Sequence, residues 1–245
     1  MDAVILVGGF GTRLRPLTLT TPKPLLPVGN VSILARVIAG LEKAGVTRAI
    51  LALGFKPQPF IDAFPGNQCG GVRLEYAVEP EPLDTGGAIA FAARFAGVSH
   101  TFIVVNGDVL TSLDVSTLVA FHKKNAAEGT LHLTPVEDPS QFGVVETASD
   151  GQVTRFVEKP APGETTSFNV NAGTYVLEPS VIERMAVDQK ISIERVVFPA
   201  MVAQGTLFAM PTADSWIDTG RPETYIAANM SALENTQDNK LVHEA

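Results

Sequence analysis

Short apolar runs alternate with helical segments in the first half of the chain, and this alternation restricts the possible folds more than any other feature. Residues 3–7 (AVILV), 49–53 (AILAL) and 102–106 (FIVVN) are predicted strands buried on both faces, and 72–78 (VRLEYAV) is a further strand. Helices are expected between them, over residues 33–43, 85–95 and 116–125, the first capped by Ser32 and stopped by Gly45. This order predicts an α/β fold whose parallel sheet has helices on both sides.

The second half of the chain has a different pattern. Residues 142–160 (FGVVETASDGQVTRFVEKP) predict a β-hairpin with its turn at 149–151. We further expect a strand at 172–177, helices near 179–186 and 192–204, short strands at 206–210 and 215–218, and a helix from Pro222. The chain is therefore predicted to form a single mixed-sheet domain over residues 1–234, followed by a frayed tail at 235–245.

Composition and charge exclude several functional classes. The chain has 245 residues, a formal net charge of −8 and one cysteine, Cys69, so an intrachain disulfide is impossible and a reducing, cytoplasmic location is expected. The acidic balance argues against a nucleic-acid partner, and the lack of a long apolar stretch or a signal-peptide pattern argues against a membrane. Residues 1–24 are locally basic, with Arg13, Arg15 and Lys23 opposed by Asp2 alone. This local charge suits a small anionic ligand.

A glycine-rich loop follows the first predicted strand, in the segment 7–24 (VGGFGTRLRPLTLTTPKP). Gly8, Gly9 and Gly11 can present backbone N–H groups to a phosphate. The spacing is not that of a P-loop, and Leu14 stands where a dinucleotide-binding loop has its third glycine. The prolines at 16, 22 and 24 predict an extended cover that aims Lys23. The alternative is a tight turn with solvated arginines.

A set of motifs in order resembles the sugar nucleotidyltransferases, or NDP-sugar pyrophosphorylases, over residues 1 to about 228. The motifs are GGFGTRLRPLT, PKPLLPV, EPLDTGGAI, VVNGDVL, FGVVE, FVEKP, NAGTYVL, VFPAM and SWIDTG. Within the family, the last motifs most resemble those of mannose-1-phosphate guanylyltransferases. The resemblance implies a Rossmann-like nucleotidyltransferase (GT-A-like) fold with the hairpin as a sugar-binding insertion. It also implies a nucleotide-binding half at about 1–110 and a sugar-phosphate-binding half at about 111–228.

The family reaction joins a sugar 1-phosphate to a nucleoside triphosphate and releases pyrophosphate. The attacking phosphate is already ionised at neutral pH, so catalysis requires alignment and charge stabilisation rather than a general base. The resemblance implies that Arg13 faces the triphosphate, that Lys23 faces the α-phosphate, and that Asp108 and Asp218 hold Mg²⁺, a suitable ion for two carboxylates and phosphate oxygens. Arg15 is left open between a phosphate contact and a surface charge.

The resemblance also implies which residues line the two substrate sites. The nucleotide site is expected to comprise Leu6, Gly8, Gly9, Gly11, Thr12, Arg13, Lys23, Glu79, Glu81, Gly86 and Asp108. The sugar-phosphate site is expected to comprise Gly143, Glu158, Lys159, Asn171 and Gly173. For Gly143 and Gly173, an ordinary strand-edge glycine is an alternative interpretation.

The choice of nucleobase depends on Glu79, Glu81 and the glycines Gly86 and Gly87. The glycines would let a flat base approach the backbone, and one glutamate would accept from guanine N1–H and N2–H together, which favours GTP. A solvated acid is the alternative for either glutamate. Thymidylyl-, uridylyl- or heptose-phosphate guanylyltransferases and a non-catalytic NDP-sugar sensor remain rival functions. The sequence also leaves open whether the chain forms a homo-oligomer.

Overall fold

A computed structural model of the chain describes residues 1–9, 11–54, 57–187 and 189–234. The predicted frayed tail at 235–245 lies outside the described residues. Within these ranges, none of the helices combines the length and the apolar character that a membrane crossing requires.

The strands are short, and most of them belong to one large sheet. In chain order they are β1 Asp2–Leu6, β2 Pro27–Val28, β3 Val31–Ser32, β4 Arg48–Leu53, β5 Gln68–Cys69, β6 Val72–Val78, β7 Phe102–Asn106, β8 Val109–Thr111, β9 Gly129–Pro135, β10 Gly143–Thr147, β11 Val153–Glu158, β12 Asn169–Leu177, β13 Leu207–Pro211 and β14 Trp216–Asp218.

The helices lie mainly between strands of that sheet. They are α1 Ile33–Lys43, α2 Gln58–Ala63, α3 Asp84–Phe95, α4 Val115–Lys124, α5 Ser180–Glu183, α6 Phe198–Ala203 and α7 Pro222–Glu234. A π-helical turn at Ile193–Val197 leads directly into α6.

The central sheet is mixed. Its strand order is β11-β10-β12-β7-β1-β4-β6-β5, in which β7, β1, β4 and β6 are mutually parallel. Strand β12 pairs antiparallel with β7 and with β9, and β13 then adds to β9 in parallel. The parallel core therefore carries an antiparallel extension, and the expected α/β architecture with a mostly parallel, mixed sheet is confirmed.

Both faces of the sheet are covered by helices. On one face, the alanine-rich side of α3 packs with α5 and α6 over alternate residues of the central strands, such as Val4 and Ile50. On the other face, α1, α2 and α4 cover the intervening residues, such as Ile5 and Leu51. A smaller cluster joins α7 to the start of α1 and to Leu14. Two-sided cover explains why the central strands are continuous apolar runs.

Local signals placed several elements accurately. The Ser32 hydroxyl accepts a hydrogen bond from the Ala35 N–H at 3.2 Å and caps α1, which ends at Lys43 two residues before Gly45. The predicted hairpin is present as β10 and β11. Asp114 caps α4 by accepting from the Ser116 N–H. In these cases the residues that decide the structure are close neighbours in sequence.

Three expectations were wrong in part. The segment expected to form an extended cover is a series of 3₁₀ turns at Thr12–Leu14, Leu17–Leu19 and Lys23–Leu25, because the fixed φ of proline suits a 3₁₀ turn as well as an extended chain. The helix expected at 192–204 divides into a π-helical turn and α6. Strand β9 was not anticipated.

Candidate active site

The ends of two adjacent parallel strands bring the glycine-rich loop and Asp108 together. Leu6, the last residue of β1, is in register with Asn106, the last residue of β7. The Gly107 N–H then donates to the Leu6 carbonyl at 2.9 Å, so the two chains leave the sheet side by side. Carboxyl ends of parallel strands are where open α/β sheets bind ligands.

The pairing of β8 with β14 places Asp218 beside Asp108. Asp218 is in antiparallel register with Val109, the residue after Asp108. The Thr219 hydroxyl and N–H both donate to the Asp108 carbonyl, at 2.7 and 3.2 Å. Two carboxylates separated by more than one hundred residues in sequence therefore share one edge of the molecule.

Lys23 contacts both carboxylates. Its Nζ lies 2.6 Å from Asp108 Oδ2 and 3.5 Å from Asp218 Oδ1. Lys23 is 8% exposed and belongs to the third 3₁₀ turn, between Pro22 and Pro24. The ammonium group has three N–H donors, so a phosphate can compete with the two carboxylates for it.

Gly220 shows that Arg13 belongs to the same cluster. A Cβ atom placed on Gly220 would lie 2.8 Å from Asp218 Oδ1, 3.1 Å from Lys23 Nζ and 3.2 Å from Arg13 Nη2. The Gly220 N–H also donates to Asp218 Oδ1 at 2.8 Å. The structure thus brings together Arg13, Lys23, Asp108 and Asp218. Gly220, which the motif SWIDTG contains, was not among the expected site residues.

The glycine-rich loop is shaped by two left-handed glycines. Gly9 has φ 110° and Gly11 has φ 55°, which side chains rarely adopt. A Cβ on Gly11 would also lie 2.9 Å from Thr18 Cγ2, and the Thr18 hydroxyl donates to the Gly11 carbonyl at 2.7 Å. Gly8, Thr12, Arg13 and Arg15 are exposed around this turn. The loop therefore offers free backbone next to basic side chains.

The donor set suits Mg²⁺ only if the substrate supplies further ligands. Asp108 and Asp218 converge on one cation, the Lys23 ammonium group. Among the described residues, no group of three or more His, Cys, Asp and Glu side chains is arranged to hold a metal. Mg²⁺ commonly takes one or two protein carboxylates together with phosphates, so the two aspartates fit that ion.

The predicted sugar-phosphate residues lie on the hairpin and β12. Gly143 is opposite Glu158, and a Cβ there would lie 2.6 Å from Phe156 Cζ and 3.0 Å from Glu158 Oε2. Lys159 Nζ is 3.8 Å from Glu158 Oε1 and largely exposed. Burial, reinforced by the charge of Glu194, raises the pKa of the Glu158 carboxyl, while Lys159 and Arg195 oppose the rise.

Asn171 and Gly173 lie on β12 and connect the predicted sugar-phosphate residues of the hairpin to the end of β7. The Asn171 side chain accepts from the Gly173 N–H at 3.0 Å and donates to the Tyr175 hydroxyl at 2.9 Å. Gly173 has φ 78°, and a Cβ on it would lie 2.5 Å from Asn106 Nδ2. Gly173 is thus required by backbone geometry and by the close approach of Asn106, a residue that the sequence analysis did not select.

The glycines that are predicted to meet the base pack against another segment of the chain. The face of Gly86 that a side chain would occupy lies 2.9 Å from the Ile191 carbonyl oxygen, and that of Gly87 lies 2.6 Å from the Gln189 carbonyl oxygen. Backbone from the segment 189–193 thus occupies these two faces, and the expected approach of a flat base to this turn stays a prediction. A base would have to meet this turn from another side.

The two predicted base-contacting glutamates have different environments. Glu79 is buried at the end of β6, its Oε2 accepts from the Leu83 N–H at 2.8 Å, and burial raises the pKa of its carboxyl. Glu81 is exposed. Glu79 therefore holds the turn before α3, whereas Glu81 is accessible to a ligand.

The family follows from a match that covers almost the whole chain. A model of the family described as "Nucleotidyl transferase" matches residues 2–235. The chain belongs to the nucleotidyl transferase family. The four-residue cluster at the sheet edge and the hairpin residues are parts of one family domain.

Curated relatives and solved structures agree with this assignment. A mannose-1-phosphate guanyltransferase of Schizosaccharomyces pombe is 41% identical over 244 residues, covering 98% of this chain and 66% of the relative. A mannose-1-phosphate guanylyltransferase of Mycobacterium tuberculosis is 39% identical over 255 residues, covering 100% of this chain and 70% of the relative. The chain thus spans about two thirds of the length of these relatives.

A bacterial crystal structure of similar length shares the fold. HddC from Yersinia pseudotuberculosis superposes with a TM-score of 0.79 at 32% sequence identity, and the match covers 94% of this chain and 98% of HddC. The fold described above is therefore shared with HddC over nearly the full length of both chains.

Proposed function

We propose that the chain transfers a guanylyl group from GTP to mannose 1-phosphate, forming GDP-mannose and releasing pyrophosphate. The observation that carries this proposal is the convergence of Arg13, Lys23, Asp108 and Asp218 at the carboxyl ends of β1 and β7. Two cations and two carboxylates at this edge of the sheet suit a reaction between two phosphate-bearing substrates.

In this mechanism the protein positions the reactants and stabilises charge. The ionised phosphate of the sugar 1-phosphate attacks the α-phosphorus of GTP, and pyrophosphate leaves on the opposite side. Lys23 and Arg13 donate hydrogen bonds to oxygens around the α-phosphate, where charge develops, and the N–H groups of the glycine-rich loop hold the outer phosphates. Asp108 and Asp218 would hold Mg²⁺, which supplies further neutralisation of phosphate charge.

The hairpin would orient the sugar 1-phosphate for that attack. Glu158 is mostly buried and can accept hydrogen bonds from sugar hydroxyls, whereas the exposed Lys159 can reach a phosphate. The side chain of Asn171 is hydrogen-bonded to Gly173 and Tyr175, so its orientation beside the proposed sugar site is fixed. Donors and acceptors that are fixed in this way hold a bound substrate in the orientation that the reaction requires.

Guanine is the proposed base for two reasons. The two curated relatives above are mannose-1-phosphate guanylyl- or guanyltransferases, and HddC has been crystallised with GMP-PN. In this chain, Glu81 is the exposed acid of the pair that the sequence singled out, and one carboxylate can accept from N1–H and N2–H of guanine together. Tighter competition by dTTP or UTP than by GTP would refute this role.

The test is pyrophosphate release with Mg²⁺ over a grid of four nucleoside triphosphates and several sugar 1-phosphates. We expect the highest kcat/KM with GTP and mannose 1-phosphate. A maximum with dTTP or UTP and glucose 1-phosphate, or with GTP and a heptose 1-phosphate, would replace the proposed substrates. Silence in every combination, with NDP-sugar still bound, would instead show a sensor.

A further inference from the structure

Glu194 lies between the predicted nucleotide and sugar subsites. It is the second residue of the π-helical turn Ile193–Val197, which packs against both α3 and β11. π-Helical turns are rare in proteins, and those that do occur are often found at functional sites. The proposed mechanism gives Glu194 no role, although its neighbours on two sides belong to the site.

On the nucleotide side, Glu194 is bound to the first turn of α3. The Thr85 hydroxyl donates to Glu194 Oε2 at 2.6 Å and accepts from the Ile193 N–H at 3.0 Å. The Ser192 hydroxyl donates to the same carboxylate oxygen at 2.8 Å. Gly86, the next residue of α3, donates its N–H to the Ile191 carbonyl at 2.7 Å. The turn predicted to meet the nucleobase and the segment 191–194 are therefore joined by several hydrogen bonds.

On the sugar side, the same segment contacts the hairpin and β12. Phe198, which directly follows the π-helical turn, packs against Phe156 at 5.3 Å and edge-on against Tyr175 at 5.2 Å between ring centroids. Phe156 is in turn the neighbour of Gly143. The charge of Glu194 also raises the pKa of Glu158 and of Tyr175. The segment 193–198 thus packs against the sugar side through Phe198, and the charge of Glu194 acts on the same side.

We propose that Glu194 is a positioning residue that couples the two subsites, because its carboxylate is hydrogen-bonded to Thr85 of α3 while the π-helical turn that carries it packs against β11 of the hairpin. This inference rests on the proposed function for the identity of the two subsites. An ionised Glu158 accepts hydrogen bonds from sugar hydroxyls more strongly than a protonated one. Burial is the larger cause of the raised Glu158 pKa, and the Glu194 charge adds to it from a position that the Thr85 hydroxyl holds. A nucleotide that moves the first turn of α3 therefore changes the affinity for the sugar 1-phosphate.

The electrostatic link can be measured without any substrate. Carboxyl ¹³C NMR titration of the full chain, with Glu158 assigned by Glu158→Gln, gives the Glu158 pKa in the wild type and in Glu194→Gln. The amide keeps an oxygen that can accept from Thr85 and Ser192 but removes the charge. We expect a lower Glu158 pKa in Glu194→Gln, since Lys159 and Arg195 then act unopposed by Glu194. An unchanged pKa would overturn the inference.

The geometric link is tested by Thr85→Val with Thr85→Ser as the rescuing variant. Loss of a hydrogen bond to a charged group corresponds to roughly tenfold, so we expect Thr85→Val to raise KM for the sugar 1-phosphate by about that factor, and Thr85→Ser to restore it. The acidic limb of kcat/KM for the sugar 1-phosphate should shift to lower pH in Glu194→Gln. Glu183→Gln, an exposed glutamate on α5, is the matched control and should behave as wild type.

These outcomes are separable from failure of the proposed function. A wild-type chain that transfers nucleotides but shows the same pH limb in Glu194→Gln, and the same sugar-phosphate KM in Thr85→Val, would sink the coupling alone. A chain that releases no pyrophosphate from any substrate pair would refute the proposed reaction, while the NMR titration would still decide whether Glu194 controls the ionisation of Glu158.

Discussion

Among single residues, Lys23 has the most demanding environment, because its ammonium group lies nearly out of solvent against two carboxylates. Asp108 and Asp218 would repel each other without a cation nearby. The prolines on either side restrict the backbone that carries this charge. Lys23 thus has both a structural role in the free protein and, in the proposed reaction, a role at the α-phosphate.

Replacement of Lys23 by alanine should abolish most of the turnover. Loss of one pre-aimed donor to developing charge typically costs about 10²–10³ in kcat, and the same loss is expected for Lys23→Ala in the pyrophosphate assay. Lys124→Ala, which removes an exposed cation at the end of α4, is the control and should retain full activity. Near wild-type turnover of Lys23→Ala with a folded circular dichroism spectrum would show that Lys23 does not serve the reaction.

Gly220→Ala should damage the site with little effect on the fold. Its methyl group would approach the side chains of Asp218, Lys23 and Arg13 within 2.8 to 3.2 Å and push them apart. Because a displacement of about 1 Å can cost roughly 10²-fold in rate, we expect a loss of that order in kcat/KM. Gly40→Ala, on an open face of α1, is the matched glycine substitution. Equal activity of both variants would contradict the geometry of the cluster.

Secondary-structure elements were predictable from sequence where local chemistry determines them. The continuous apolar runs located β1, β4 and β7, and the Ser32 and Gly45 signals bounded α1. Strand β9 was missed because its run GTLHLTP contains buried polar residues. Thr130 and His132 in that strand are paired with His122 and Thr212, which come from other elements. No local sequence pattern predicts these hydrogen-bond partners, because they come from distant parts of the chain.

The turn before α3 shows the same limit. The pair Gly86 and Gly87 was interpreted as room for a base, and in the structure the segment 189–193 packs against the faces that their side chains would occupy. A glycine indicates that another group lies close to the backbone, but it does not indicate which group. The hydrogen bonds of Thr85 to Glu194 and Ile193 could not be predicted either, since they join residues more than one hundred positions apart.

The capping of α1 gives a test at this level. Ser32→Ala removes the hydroxyl that accepts from the Ala35 N–H, so the free energy of unfolding should fall by about 1 kcal/mol. Urea denaturation followed by circular dichroism measures this change, and kcat should stay near that of the wild type. Ser231→Ala, an exposed position within α7, should show no comparable loss. Equal stability of the two variants would show that the Ser32 cap does not stabilise α1.

In the whole molecule, the candidate site depends on contacts between distant parts of the chain. The ordered motifs predicted that Arg13, Lys23, Asp108 and Asp218 act together, and the structure provides the means in the β1–β7 register and the β8–β14 pair. Gly220, Asn106 and Glu194 were not selected, because each acquires its role from a neighbour far away in sequence. Sequence motifs thus predicted the members of the cluster better than its packing.

The free energy of unfolding should depend on pH through the buried side chain of His132. Burial lowers the pKa of His132 to about 4, opposed by Asp214, and its Nδ1 has no hydrogen-bond partner among the described residues. Unfolded histidine titrates near pH 6.5, so the unfolded chain binds the extra proton and the stabilisation, complete above that pH, is lost as pH falls toward 4. We expect about 2 kcal/mol less stability at pH 5 than at pH 7 from this residue.

Urea denaturation of the wild type and His132→Gln at both pH values checks this expectation. The variant cannot titrate at that position, so its stability should change less between pH 7 and pH 5 by the amount assigned to His132. The same pH dependence in both proteins would show that the buried imidazole does not control acid stability.

The arrangement of Lys23 with Asp108 and Asp218, joined by Arg13, has a consequence for how a polyanion enters. The four side chains are electrically balanced, so a bare triphosphate would gain little from the cluster as a whole. Its phosphates compete with the carboxylates for the Lys23 ammonium group, and carboxylates that lose this contact need another counter-charge. Under the proposed reaction, nucleotide capture resembles ion exchange: the phosphates take over the protein's cations and deliver their own divalent counter-ion to the acids left behind.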